Sequence, residues 1–269
     1  MLADPLDNRA SADNGTKKSM PLIETEGLVL RSYNLAEADR IVVFFTREQG
    51  IVRGVAKGAR RLKSRFGSML EPFSTVHLTY FQKEERELVS IQQLELLESR
   101  FDTAADPGLL HTLSYLSELL IAVVPPHDPN ETMYRMAKAC LETGPATTSE
   151  LGALRLYFEL WVLRLGGYLP DWSKCAGCSR PVDGEDEITL RSDLHLVCRQ
   201  CRRSSGLAPF TVPMADAYRG IQKLTPKKFV GLASKDAETV AALSVVLRRI
   251  IAQVVGRDIL NENTLAVNS

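Results

Sequence analysis

Five cysteines occur in the chain, and four of them form two like-spaced pairs, Cys175-Ala-Gly-Cys178 and Cys198-Arg-Gln-Cys201, with nineteen residues between the inner two. A Cys-x-x-Cys turn aims two thiolates at one point. A second such turn at the far end of a short loop can complete four-coordination around a d¹⁰ ion that has no geometric preference of its own. The spacing therefore predicts one zinc ion (Zn2+) held by Cys175, Cys178, Cys198 and Cys201. The alternative, a pair of disulfides, belongs with an oxidising compartment, and nothing upstream reads as a secretion signal. A catalytic zinc keeps a position open for water, whereas four thiolates fill the shell, so the expected role is structural. His195 could replace one thiolate; its competing role is a surface imidazole in the short strand Leu194-His195-Leu196-Val197. Cys140 lies far from the other four in an apolar helical stretch and reads as a buried small hydrophobe.

A second constellation is electrostatic. Thirty-three basic residues balance thirty-three acidic ones, so the whole-chain charge predicts neither a nucleic-acid nor a membrane partner. Between residues 47 and 65, however, Arg47, Arg53, Lys57, Arg60, Arg61, Lys63 and Arg65 oppose only Glu48, a local charge of +6. Gly58 and Gly67 bracket the densest part, beside Phe66. Such a loop can follow a phosphate backbone, because guanidinium and ammonium groups replace condensed counterions without demanding a base sequence. The competing reading is an ordinary solvated loop. Arg199, Arg202 and Arg203 beside the second cysteine pair form a weaker cationic group, readable equally as a solubility feature.

These residues need elements to position them. Residues 27–33, 40–46, 51–58, 74–81 and 87–91 are rich in β-branched and aromatic residues and read as five short strands. They lie too close together for helical crossovers, which points to a small antiparallel barrel of the oligonucleotide-binding (OB) kind, with an SH3-like barrel as competitor. After residue 95 the period becomes helical, with Leu109, Leu113, Leu116 and Leu120 leading to a stop at Pro125-Pro126. Further helices are expected over 131–142, from a cap at Thr148 or Ser149 to Gly166-Gly167, over 213–224 and over 236–256. The class is thus α+β multidomain: a disordered tail at 1–20, an OB barrel at 21–98, a helical domain at 99–169 and 207–258, an inserted zinc module at 170–206, and a C-terminal tail at 259–269. No apolar run approaches the ~20 residues of a membrane span.

Enzyme signatures are absent. Neither phosphate-binding glycine loops, nor Gly-x-Ser-x-Gly, nor His-Glu-x-x-His occurs, and the carboxylates Glu84-Glu85 and Glu185-Asp186-Glu187 form a solvation pattern. A metal-dependent nuclease is disfavoured because no carboxylate cluster could hold magnesium.

Several segments carry a resemblance. Glu26-Gly27-Leu28-Val29-Leu30-Arg31, the run from Ala38 to Gly50, and above all Val55-Ala56-Lys57-Gly58-Ala59-Arg60-Arg61 followed by Leu70-Glu71-Pro72-Phe73 resemble the bacterial RecO family of recombination mediators. The likeness continues through Tyr115-Leu116-Ser117-Glu118, Leu165-Gly166-Gly167-Tyr168 and the four cysteines, over roughly residues 21–255. It implies an OB barrel, a helical domain and a four-cysteine zinc module. It also implies binding of single- and double-stranded DNA, annealing of complementary strands, and help to RecA in displacing the single-strand-binding protein SSB, usually with RecR, in the cytoplasm at the nucleoid. Lys57, Arg60, Arg61, Lys63 and Arg65, with Arg53, are then the phosphate contacts. An SSB C-terminal tail would dock on the helical domain, where Arg155 and Arg164 beside Leu156 and Leu160 are candidates; the alternative is that these leucines are core and the arginines solvated. The alternative function is a zinc-containing protein-interaction adaptor whose basic loop meets an acidic protein.

Overall fold

The computed structural model describes residues 22–82, 87–100, 106–182, 187–203 and 208–256. The expected tails at 1–20 and 259–269, and Glu84, Glu85, Glu185 and Asp186, lie outside the described residues.

Five strands, β1 (Leu22–Leu35), β2 (Asp39–Thr46), β3 (Gly50–Ala56), β4 (Thr75–Phe81) and β5 (Leu88–Glu98), close into a barrel in the order β1-β2-β3-β5-β4. This is an OB-type arrangement, not an SH3-like one. Two expectations need correction. β3 and β5 pair in parallel, Arg53 to Leu88 through Val55 to Ser90, so the barrel is not wholly antiparallel. β5 also runs to Glu98, past the residue at which helical periodicity was expected to begin. β1 is longer than its apolar centre because a register shift between Val29 and Arg31 bends it around two neighbours.

β2 explains how the barrel joins the rest. Val42 and Phe44 point into the barrel with Val29, Val52, Leu78 and Tyr80, whereas Val43 and Phe45 point outward into a second core shared with the helices. Both faces are buried, so the strand reads as one apolar run rather than an alternation. The connection into β3 turns at Gly50, whose φ is +60° and where an added Cβ would lie 2.4 Å from the Asp128 carbonyl oxygen. A side chain there would push the barrel off the segment that carries Asp128.

Between β3 and β4 the chain plugs one end of the barrel with Phe66 and Leu70, the latter in a short 3₁₀ turn over Gly67–Leu70.

Helices follow the punctuation of the sequence. α1 (Pro107–Val123) starts with Pro107 behind Asp106, whose carboxylate accepts from the Gly108 and Leu109 amides. α2 (Glu131–Leu141) is capped by Asn130. α3 (Thr148–Leu165) is capped not at Thr148 or Ser149 but at Thr147, because Thr147 and Glu150 form a reciprocal capping box. β6 (Ile188–Leu190), β7 (Leu196–Cys198) and β8 (Ala208–Pro209) form a small sheet, and α4 (Val212–Lys223), α5 (Pro226–Ala233) and α6 (Ala237–Val255) complete the chain. α5 was not expected; Pro226 opens it as a separate short helix after Thr225. Among the described residues no helix is long and apolar enough to cross a membrane.

α3 is the central helix, with nine buried residues that include Glu159, whose relative exposure is 0 %. The Tyr115 hydroxyl donates to Glu159 Oε1 at 2.8 Å, while Oε2 has no partner. Burial pushes the Glu159 pKa up from 4.5 to about 7, against the pull of Tyr115, Arg155 and Arg248. A carboxyl whose pKa rises on folding keeps a proton that the unfolded chain releases. Its contribution is fully present below pH 4.5 and is lost as pH climbs through about 7. Glu159→Gln, which keeps an acceptor for Tyr115 and cannot ionise, is therefore expected to melt above the wild type at pH 8, with the gap closing toward pH 4.5. A constant gap in melting temperature over that range would mean that Glu159 does not titrate there.

Candidate metal centre and nucleic-acid interface

The metal candidate is built on two tight turns that face each other. The first leaves the Asp171–Ser173 segment, with Ser179 donating its amide to the Cys175 carbonyl at 2.9 Å. The second grows from the end of β7, whose last residue is Cys198, with the Cys201 and Arg202 amides donating back to the Cys198 carbonyl. The Ala176 amide donates to the Leu196 carbonyl at 2.8 Å and links the two turns. All four sulfurs lie within 4.8 Å of one another, and Cys178 and Cys198 are 3.9 Å apart. Metal–sulfur bonds of ~2.3 Å in a tetrahedron would place sulfurs about 3.8 Å apart, so the donor set fits a thiophilic four-coordinate ion. All five cysteines are free rather than disulfide-linked.

The electrostatics of the cluster point the same way. Burial works against a charged Cys175, but amides of Cys198 and Gly177 that point at its sulfur lower its pKa to about 6. Cys201, beside the sulfurs of Cys178, Cys198 and Cys175, is pushed up to about 12. Four thiolates cannot share this volume without a cation between them. Gly177 is required by space: an added Cβ would stand 2.9 Å from both Cβ and Sγ of Cys201. His195 is outside the group, exposed, with Nδ1 3.0 Å from the Asp193 carbonyl oxygen. Cys140 is buried against Met136, and burial raises its thiol pKa well above the ordinary value.

Sequence reasoning missed the anchor of this module. Trp172, 1 % exposed, donates its indole N–H to the Leu194 carbonyl at 2.8 Å and packs against Phe210 and against Tyr218 of α4. Its position three residues before Cys175 was the available signal.

The cationic loop is held at both ends. The Gly58 amide donates to Asp39 Oδ1 at 2.8 Å, the Arg60 amide to the Ala38 carbonyl at 3.0 Å, and the Arg60 guanidinium to the Ala36 carbonyl at 2.8 Å. These bonds lash the loop to the β1–β2 hairpin. At the other end Phe66 is buried and the Arg65 guanidinium lies 4.8 Å from its ring centroid. The Ser64 amide donates to the Arg61 carbonyl, so Leu62 and Lys63 occupy the crest of a turn. Among the described residues Lys57, Arg61 and Lys63 are exposed and have no acidic partner. Arg53 differs: it lies on β3, ion-paired with Glu87 at 2.9 Å. Arg47 is likewise tied to Glu131 and Glu48.

The remaining candidates are dispersed. Arg199 and Arg203 are exposed beside the second cysteine turn, and Arg202 pairs with Glu187 at 3.0 Å. Leu156 and Leu160 are fully buried and line no groove. Arg155 and Arg164, nine residues apart on α3, fall on opposite sides of the helix at 100° per residue. Arg155 stacks over Tyr115 and Arg164 over Trp161. The expected pocket for an acidic tail between these four residues is therefore not formed. A hollow of about 160 Å³ lies instead between the ends of α1 and α3, where Val124, Met133, Leu165 and Tyr168 meet Asp128. Its rim acid suits an anionic peptide poorly.

The fold and site are those of an OB-type barrel with an anchored basic loop, joined to a helical domain that carries a four-sulfur centre. Residues 20–100 match the family model for the N-terminal domain of recombination protein O, and residues 105–262 match its C-terminal domain. Among curated relatives, the DNA repair protein RecO of Rubrobacter xylanophilus is 33% identical over 242 residues, which cover 86% of this chain and 90% of the relative. That of Koribacter versatilis is 34% identical over 162 residues, 60% of this chain and 66% of the relative, and that of Anaeromyxobacter sp. strain K is 31% identical over 197 residues, 73% and 76%. The chain belongs to the recombination protein O family.

Loss of one ligand should be felt in both metal content and stability, because binding to such a site is largely folding free energy. Cys178→Ser is expected to lower bound metal from about one per chain to near zero by elemental analysis and to reduce the melting temperature. Unchanged metal content would place the metal elsewhere.

Proposed function

We propose that this chain is a non-enzymatic recombination mediator of DNA repair. In this reading it binds single- and double-stranded DNA, anneals complementary strands, and helps RecA take over single strands coated by SSB, acting in the cytoplasm at the nucleoid. RecR and the SSB C-terminal tail are its protein partners, and RecA is reached indirectly. Family membership and the relatives' shared name, DNA repair protein RecO, support the role in repair. The observation that carries the DNA contact is the anchored loop from Lys57 to Arg65, which holds exposed cations clear of acidic partners among the described residues. One zinc ion in the four-cysteine centre is structural: the sulfur donor set and its spacing favour it, and four ligands leave no position for chemistry.

Phosphate contact by this loop makes binding salt-dependent in a countable way. About five neutralised phosphates correspond to a slope of log K against log salt near −3.5 on single strands. Arg61→Ala combined with Lys63→Ala, two changes at exposed sites without internal partners, should weaken binding across sequences and flatten that slope by up to about 1.4. Filter binding across a salt series measures both. An unchanged slope with intact affinity moves the DNA contact off the loop, and no binding by the wild type to any DNA favours a zinc-containing adaptor whose basic loop meets an acidic protein.

A further inference from the structure

Beside the cationic loop the barrel carries an apolar row that neither of its cores uses. Tyr33 on β1 is paired with Ile41 on β2, which is paired with Val55 on β3. Val42, Val52 and Ala56 line the barrel interior, so by strand alternation Ile41 and Val55 face outward. Farther along this outer surface Val43 and Phe45 are covered by the helical domain, but the row at Tyr33 is not: Tyr33 is 42% exposed, and Ile41 and Val55 are half-buried. Leu62, on the crest of the neighbouring turn between Arg61 and Lys63, has a relative exposure of 102%, and so touches almost nothing.

The unpaired cations beside this row come from the loop. Arg31 and Arg53 both align with Val43, one step along the same face, but pair with Glu118 and Glu87, whereas Lys57 follows β3 at the other end and is exposed. The bonds from Gly58 and Arg60 to Asp39, Ala38 and Ala36 place the loop against the hairpin that ends β1. Phosphate contact alone needs none of the apolar groups. A ring and an aliphatic tip beside the exposed loop cations suit a strand whose backbone is anionic and whose unpaired bases offer flat apolar faces, since stacking on an aromatic side chain requires a base that is not already stacked in a duplex.

We propose that Tyr33, backed by Ile41 and Val55, is a base-stacking platform for single-stranded nucleic acid, and that Leu62 packs against a second unpaired base as the loop cations hold the phosphates. The inference rests on the reading of the 57–65 loop as a phosphate contact and adds to it a preference for unpaired bases. Duplex DNA, whose base faces are hidden, then uses the loop cations only.

Fluorescence anisotropy of the full chain, with a labelled oligothymidylate and a strand of equal length made of abasic sites, separates the two contacts. The wild type is expected to bind the base-bearing strand on the order of tenfold more tightly than the abasic one. Tyr33→Ala and Leu62→Ser should each lose several-fold of that preference while leaving abasic-strand affinity and salt slope unchanged, and Tyr33→Phe should retain it. Equal binding of both strands by the wild type, or an unaltered preference in Tyr33→Ala and Leu62→Ser, overturns the platform. If Arg61→Ala with Lys63→Ala still weakens binding in that case, the loop reading stands without it. If that double change also has no effect, both fall.

Discussion

A single wall of sheet serves two cores, and the arrangement of the molecule follows from it. Phe44 closes the interior of the barrel, while Phe45, its neighbour in sequence, packs edge-on against Tyr134 of α2 at 5.6 Å between ring centroids. A strand apolar on both faces cannot leave either side to water, so the helical domain must cover the outer one. Polar groups around the contact fix its orientation. Glu26 of β1 accepts from Lys138 and Tyr134 of α2; burial opposes its ionisation, but these hydrogen bonds outweigh it and hold its pKa below 4.5. Arg31 reaches Glu118 of α1 from the same sheet. Partly exposed pairs of this kind contribute modest free energy, on the order of 1 kcal/mol, so they set register while the shared apolar wall supplies the driving force.

That geometry decides which cations remain available. Counting charge along residues 47–65 treats seven basic groups as equivalent, yet the fold divides them. Arg47 and Arg53 lie on or beside strands and meet Glu131 and Glu87. Arg60 gives its guanidinium to a backbone carbonyl, and Arg65 rests on Phe66. Lys57, Arg61 and Lys63 are left to solvent. A linear sum locates a cationic loop but cannot say which members are tied, because the partners of Arg47, Arg53 and Arg60 are 24 to 84 residues away in the chain.

Local signals were legible and long-range ones were not. The two Cys-x-x-Cys turns, the Pro and Gly stops and most helix caps depend on residues within a few positions of one another, and each left its mark in the sequence. The parallel pairing of β3 with β5 depends on barrel closure across more than thirty residues and has no local signature. The pocket expected around Leu156 and Leu160 failed for a related reason. α3 is central and buried on most sides, so apolar residues next to arginines marked core rather than groove. Gly177 had no local signature either: Ala176, Arg199 and Gln200 also lie between paired cysteines and carry side chains, and what an added Cβ at Gly177 would meet is Cys201 of the other turn.

The two constellations that carry chemistry are rooted in different cores. Cys175 and Cys198 belong to the large core, which runs from the metal module through Trp172 and α4 to α3 and the outer wall of the barrel. Phe66 and Leu70, which hold the far end of the cationic loop, belong to the barrel interior. Damage at the sulfur cluster therefore propagates first into helical packing, and from there toward the loop through the outer barrel wall of Leu28, Val43, Phe45, Ile51 and Phe73. Changes on the loop crest, at Arg61, Leu62 or Lys63, disturb neither core because those side chains touch neither. With no shared partners between the sites, their effects on stability should be close to additive. The sulfur cluster in one half of the protein and the loop cations in the other can thus change largely independently, with the common wall as the route by which either constrains its neighbour.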